Sequence, residues 1–114
     1  MPLTVYGIPN CDSVKKALAH LKAAGLEFTF HDFKKAGVSD TLLQAWLTQV
    51  DLDTLINRKG TTWRQLSESE QAAATHRESA LALLREKPSL IKRPVFDDSG
   101  TIRVGLTALA DITT

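Results

Sequence analysis

The sequence predicts a single α/β domain in which a β-α-β unit and a β-β-α unit flank a helical segment. Three observations support this. A short apolar run near the start leads directly into an amphipathic helix pattern, only helix signals follow from Ser39 to Lys87, and strand and turn signals return after Pro88. With 114 residues, 43% of them hydrophobic, the chain is long enough for one core and too short for two.

The first unit consists of a strand, a helix and a second strand. The run Leu3–Tyr6 predicts a strand and Gly7–Asn10 a turn, and a helix then begins near Asp12 and ends at Gly25, a typical C-terminal cap. The apolar residues that recur at helical spacing are Val14, Ala17, Leu18 and Leu21. Leu26–His31 alternates like a half-buried strand, and the helix between the strands is long enough to let them run parallel.

The middle of the chain predicts several helices with recognisable ends. Ser39 or Asp40 can cap a helix that carries an apolar stripe. Ser67 and Glu70 have the spacing of a capping box, and Arg77–Glu86 forms a helix that the next proline stops.

The last unit predicts a hairpin and a short helix. Pro94–Phe96 and Thr101–Val104 are strand-like, and the connection Asp97–Gly100 is rich in turn-forming residues. Asp97 and Asp98 are therefore interpreted as turn residues, and Leu106–Ile112 as a final short helix.

Composition limits the classes of function. A net charge of +1 gives no reason to expect direct binding to nucleic acid or to a membrane surface. No segment resembles a signal peptide or a membrane span, so a cytoplasmic location is expected. The three histidines and the single cysteine have no metal-binding spacing, so no metal is expected. One cysteine also excludes an internal disulfide.

That single cysteine, Cys11, lies where the first helix begins. Helix N-termini favour the thiolate, the nucleophilic form of sulfur, so Cys11 is a candidate nucleophile. The alternative is a small buried hydrophobic residue, which is common for a free cysteine. Trp46, on a helical stripe, is predicted to lie in the core, whereas Trp63, in the irregular loop Gly60–Trp63 near Arg58, is a candidate wall of a substrate site.

The chain resembles the ArsC/Spx family, and its YffB-like branch best of all. Three segments carry the resemblance in the same order along the chain: Tyr6–Lys16, Asn57–Arg64 and Leu90–Val95. The resemblance implies a bacterial, cytoplasmic protein with a thioredoxin-like fold. Within a single domain of residues 1–114, the thioredoxin-like core would span about 1–35 and 89–114, and a helical subdomain about 36–88.

The resemblance also implies a set of site residues. Cys11 matches the family nucleophile, and Arg58 and Arg93 match two arginines that bind the substrate anion. Arginine suits this role because its planar fork donates two parallel hydrogen bonds to an oxyanion or carboxylate. Pro94 matches the cis-proline beside the reactive sulfur. Without the resemblance, either arginine would be interpreted as a solvated or ion-paired surface residue.

Three positions depart from the arsenate reductases of the family. Gly105 stands where they have a third arginine, and Arg103, two residues earlier, is the candidate replacement as an anion-binding residue. Gly7 stands where they have a histidine upstream of the nucleophile. Val14 occupies the second position of a possible C-x-x-C pair, so the chain has no internal resolving thiol.

These matches and departures together imply a glutathione-dependent thiol/disulfide reductase without a bound cofactor. Cys11 would form a mixed disulfide that an external thiol resolves, with glutathione as co-substrate and glutaredoxin as a candidate partner. Two alternatives stay open. One is an arsenate reductase that uses glutathione and glutaredoxin, and the other is an Spx-like regulator that binds RNA polymerase.

Overall fold

The computed structural model describes residues 3–113, which form two compact units. One contains the chain up to Ala36 and again from Arg93 onwards, and the other is Gly37–Lys92.

The first unit is built on a four-stranded mixed sheet with the strand order β2-β1-β3-β4. The strands are β1 (Leu3–Gly7), β2 (Thr29–Asp32), β3 (Val95–Asp98) and β4 (Thr101–Val104). β1 pairs with β2 in parallel and with β3 antiparallel, and β3 pairs antiparallel with β4. The β-α-β and β-β-α arrangement predicted from the sequence is confirmed.

Helix α1 (Asp12–Ala23) covers one face of this sheet. Its buried side chains Ala17 and Leu21 pack against Val5 and Phe96, which lie opposite each other on neighbouring strands. After a 3₁₀ turn, the short helix α8 (Leu109–Thr113) adds Leu109 to the same core. The other helix of this unit, α2 (Phe33–Ala36), follows β2 directly.

Two boundaries in this unit differ from the sequence interpretation. β2 begins at Thr29 rather than Leu26, because the N–H of Leu26 donates to the carbonyl of Leu21 to finish helix α1. Asp97 and Asp98 are not turn residues, since they extend β3 and leave a two-residue turn of Ser99 and Gly100, whose φ values are positive at 53° and 98°. Such a turn matches the twist of a hairpin, so the strands can run to its very edge.

The second unit is helical. Its helices are α3 (Asp40–Trp46), α4 (Leu52–Leu55), α5 (Thr61–Arg64), α6 (Glu68–Ala73) and α7 (Arg77–Glu86), followed by a 3₁₀ turn at Pro88–Leu90. Ser39 caps α3 by accepting a hydrogen bond from the N–H of Leu42. The capping box of Ser67 and Glu70 at the start of α6 is confirmed. Trp46 is 1% exposed, which confirms its place in the core.

The helical unit extends to Lys92, beyond the expected boundary near residue 88. Ile91 forms an antiparallel bridge with Ile56, and the N–H of Lys92 donates to the carbonyl of Leu55 at 2.7 Å. These bonds attach the segment before Arg93 to the helical unit. Over residues 3–113, no helix is long and apolar enough to cross a membrane.

Candidate active site

Cys11 occupies the N-cap position of α1, at the end of the turn that leaves β1. Its backbone is extended, with φ −95° and ψ 128°. Its N–H donates to the carbonyl of Ile8 at 3.2 Å, and its carbonyl accepts the first helical hydrogen bond from Lys15 at 2.9 Å. The side chain is partly exposed, as expected for a cysteine at the start of this helix. The thiol can therefore be reached from solvent while its backbone is held on both sides.

The surroundings of the sulfur lower the pKa of Cys11 below its ordinary value. Partial burial acts in the opposite direction and is the largest single influence on this pKa. It is outweighed by the combined effect of the Val14 N–H, the hydrogen bond and charge of the Arg93 guanidinium, and the Ser13 N–H. Hydrogen bonds and positive charge that favour the ionised form have this effect on any acid. The result is a sulfur biased towards the nucleophilic thiolate.

Arg93 lies close to Cys11 in the same unit, and Pro94 follows Arg93 in the chain. The charge and hydrogen-bonding groups of the Arg93 guanidinium lower the pKa of the Cys11 thiol, and the Arg93–Pro94 peptide bond is cis, as the resemblance implies. The ring of Pro94 is buried, and its carbonyl accepts a hydrogen bond from the N–H of Gly105 at 2.9 Å. The segment before β3 thus places the Arg93 guanidinium near the Cys11 sulfur. The hydrogen bond from Gly105, after β4, holds the backbone at Pro94, next to Arg93.

Gly7 and Gly105 are constrained by the geometry of this unit. A Cβ added at Gly7 would lie 2.6 Å from Cγ2 of Val14, so β1 and α1 approach too closely for a side chain there. Gly105 has φ 93° and ψ 161°, a conformation that essentially only glycine adopts at low cost. The Val14 side chain at Gly7 and the backbone conformation at Gly105 therefore disfavour the histidine and arginine that the resemblance implies for arsenate reductases at these two positions.

Arg103 on β4 is engaged by carboxylates. It lies 3.9 Å from Asp98 and 3.8 Å from Asp111 of α8. It is opposite Phe96 in the register and so belongs to the sheet face that α1 and α8 cover. Two neighbouring carboxylates already balance its charge, which makes it a weaker candidate for a substrate anion than Arg93.

Arg58 and Trp63 come together in the helical unit. The Cζ of Arg58 lies 5.4 Å from the centroid of the Trp63 ring, a cation–π geometry. The prediction that Trp63 lies in an irregular loop is wrong, because Gly60 starts a helical turn and Trp63 lies within it, on α5. The ring is partly exposed. Whether it forms a substrate wall stays a prediction.

Asp53 is the neighbour of Arg58 that the sequence reasoning missed. Its carboxylate lies 2.8 Å from Nη1 of Arg58. The only signal in the sequence is an acidic residue on the turn before the arginine motif, and many exposed aspartates would match that description. A pocket of about 230 Å³ surrounds this pair, lined by Asp53, Ile56, Asn57, Arg58, Lys59 and Lys92. In the described part of the chain, no three His, Cys, Asp or Glu residues form a group that could hold a metal ion.

Comparison with known proteins establishes the family. The family model described as "ArsC family" matches residues 6–108, which include Cys11, Arg58, Arg93 and Gly105. The chain belongs to the ArsC family. An uncharacterized protein of Haemophilus influenzae is 41% identical to it over 103 residues, which cover 90% of each sequence.

Other ArsC-family relatives carry different functional names. The regulatory protein MgsR of Bacillus subtilis is 30% identical, over 90% of this chain and 82% of its own length. An arsenate reductase of Rhizobium meliloti is also 30% identical, over 82% of this chain and 67% of its own. A solved structure of a protein named YffB matches with a TM-score of 0.90 and 35% identity, over 98% of this chain and 99% of the other. The thioredoxin-like ArsC fold is confirmed, and the family includes both enzymes and regulators.

Proposed function

We propose that this ArsC-family protein is a glutathione-dependent thiol/disulfide reductase with Cys11 as its nucleophile. The observation that carries the proposal is the position of Cys11, partly exposed at the N-cap of α1, where the Arg93 guanidinium and two backbone N–H groups lower the pKa of its thiol. A structural cysteine needs none of these partners. A nucleophilic cysteine needs such partners in order to be ionised near neutral pH.

The proposed reaction is a pair of thiol–disulfide exchanges. The Cys11 thiolate attacks one sulfur of a disulfide that contains glutathione, the old S–S bond breaks, and the other sulfur leaves as a thiolate that takes up a proton from solvent. Cys11 is then joined to glutathione. Since Cys11 is the only cysteine of the chain, a second glutathione or the thiol of glutaredoxin attacks this mixed disulfide and releases the Cys11 thiolate. The electrons come from that external thiol, as expected for an enzyme of the reducing cytoplasm.

Arg93 has two tasks in this reaction. Before the attack it stabilises the thiolate, and during the exchange its charge compensates the negative charge that spreads over three sulfurs. Within the helical unit, the Arg58 guanidinium, which lies over the Trp63 ring, is suited to bind a carboxylate of an anionic ligand. Arg103 is left outside the proposed site because Asp98 and Asp111 already engage it.

The proposal is tested by intact-mass measurement after incubation with oxidised glutathione. Wild type should gain one glutathionyl group and lose it on addition of dithiothreitol, and Cys11→Ser should gain none. Arg93→Ala should form the adduct about 10- to 150-fold more slowly, which corresponds to losing one charge-assisted hydrogen bond of about 1.5–3 kcal/mol. Arg103→Ala removes the same charge from the same unit and should react like wild type. Absence of an adduct in wild type would reject the proposal.

A regulatory role is the second candidate, because MgsR, a regulatory protein, is 30% identical over most of this chain. An Spx-like regulator would bind RNA polymerase without turning over a thiol substrate. The tagged protein should then retain polymerase subunits from a bacterial lysate, whereas the reductase should not. Retention of polymerase together with failure to form the glutathione adduct would favour the regulator.

A further inference from the structure

The pocket around Arg58 carries an excess of positive charge within the helical unit. Arg58, Lys59 and Lys92 line it with a single carboxylate, that of Asp53. Its volume of about 230 Å³ accommodates one small anionic group. Three cations around such a volume favour a carboxylate or a tetrahedral oxyanion as occupant.

Arg58 is held from two sides in this pocket. Asp53 contacts Nη1 at 2.8 Å, and the Trp63 ring lies 5.4 Å from Cζ. The two supports differ in mobility. The Asp53 side chain is 82% exposed, whereas that of Arg58 is 34% exposed. The Asp53 carboxylate can therefore rotate away from Arg58 into solvent at little cost in free energy, while Trp63 keeps the guanidinium in place.

The backbone of Asp53 does not depend on this ion pair. Asp53 lies on α4, whose start is capped by Asp51 through a 2.7 Å hydrogen bond from the N–H of Thr54. The helix end is tied by the bond between Lys92 and Leu55. Loss of the Asp53 carboxylate should therefore leave the fold intact.

We propose that Asp53 is a built-in competing anion, which occupies Arg58 in the free protein and is displaced when an anionic group binds to Arg58, Lys59 and Lys92. The inference rests on the proposed function only in the anion-binding role given to Arg58. It extends that role by naming the residue that limits the affinity of the pocket. Asp53 is thus a positioning residue that acts through Arg58.

Binding of sodium sulfate at constant ionic strength tests this, with the NMR signals of the Arg58 Nε–H and the Trp63 indole N–H as the readout. Wild type should show saturable shifts of both signals. Asp53→Asn should bind sulfate about two- to five-fold more tightly, the factor expected when an exposed ion pair no longer competes. Asp53→Glu, which restores the carboxylate, should return the affinity to near that of wild type. Arg58→Ala, which retains only the Trp63 signal, should show no saturable shift of that signal.

Glu68→Gln is the matched control, because Glu68 is an exposed carboxylate of the same unit that does not line the pocket. It should bind sulfate as wild type does. Equal or weaker binding by Asp53→Asn would overturn the proposal, as would an equal gain in Glu68→Gln, which would indicate a general charge effect. The assay needs no thiol chemistry, so its failure is distinct from failure of the glutathione adduct.

Discussion

At the scale of single residues, the pKa of Cys11 results from opposing influences. Partial burial raises it, and the Val14 N–H, the Arg93 guanidinium and the Ser13 N–H together lower it by more. The sequence could predict the helix start, and with it the two N–H groups, because the strand-turn-helix pattern is local. It could not predict the contact with Arg93 from periodicity, since that residue arrives from the far end of the chain. Only the family resemblance pointed to it.

The balance at Cys11 predicts the pH dependence of its reactivity. Because the folded-state pKa is lowered, the thiolate persists to lower pH, and the rate of alkylation by iodoacetamide should fall only as pH drops through a midpoint below that of the same cysteine in the unfolded chain. Arg93→Ala removes two of the lowering influences, so its midpoint should move to higher pH. Arg103→Ala should keep the wild-type midpoint. Identical midpoints for wild type and Arg93→Ala would contradict the assignment of Arg93.

At the scale of elements, the close approach of β1 and α1 decides what can stand next to the nucleophile. Val14 is fully buried in the first turn of α1, and its methyl groups fill the space that a side chain at Gly7 would need. The N–H of the same Val14 is one of the groups that lower the pKa of the Cys11 thiol. Packing of the strand on the helix and activation of the thiol are thus linked through one residue.

This contact predicts the effect of a single added methyl group. Gly7→Ala should reduce the free energy of unfolding by about 1–3 kcal/mol, because the new Cβ overpacks a buried site. Val14→Ala removes the obstructing methyl groups and leaves a cavity. The double variant should be less destabilised than the sum of the two single variants, with a coupling of about 0.5–3 kcal/mol in urea unfolding. Strict additivity would show that Gly7 and Val14 do not compete for space.

The same scale separates the elements that could be predicted from those that could not. The predictions of β1, α1, α6 and α7 are confirmed. The first, second and fourth of these elements follow clear apolar patterns that end near a glycine or a proline, and α6 begins with a capping box. The single-turn helices α2, α4 and α5 are too short to show a helical period, and none of them was predicted. The misplacement of Trp63 in a loop follows directly, because α5 is one turn long.

At the scale of the whole molecule, the order of helices and strands along the chain can be predicted from the sequence. Which distant residues come close together within each unit cannot. Helix signals confined to the middle of the chain indicated the helical unit, but its end at Lys92 depends on bonds from Ile91 and Lys92 to a distant segment. The pairing of Asp53 with Arg58 likewise has no pattern in the sequence, because a surface ion pair needs only proximity. Tertiary geometry therefore decides which charges are available to a substrate.

The distribution of anion-binding groups over the whole chain predicts the response to arsenate. A tetrahedral oxyanion needs several hydrogen-bond donors at once. The resemblance implies that arsenate reductases carry such donors at two positions that are glycines in this chain. These are Gly7, where a side chain would collide with Val14, and Gly105, which has a positive φ of 93°. Loss of one preorganised donor costs on the order of 10²–10³ in rate. Arsenate reduction with glutathione and glutaredoxin should therefore be at least about 100-fold slower than for the Rhizobium meliloti arsenate reductase assayed beside it. The proposed glutathione exchange at Cys11 needs neither of these two groups and should persist in the same preparation. Comparable arsenate turnover by the two proteins would show that other groups replace the missing donors, and the arsenate reductase assignment should then be adopted.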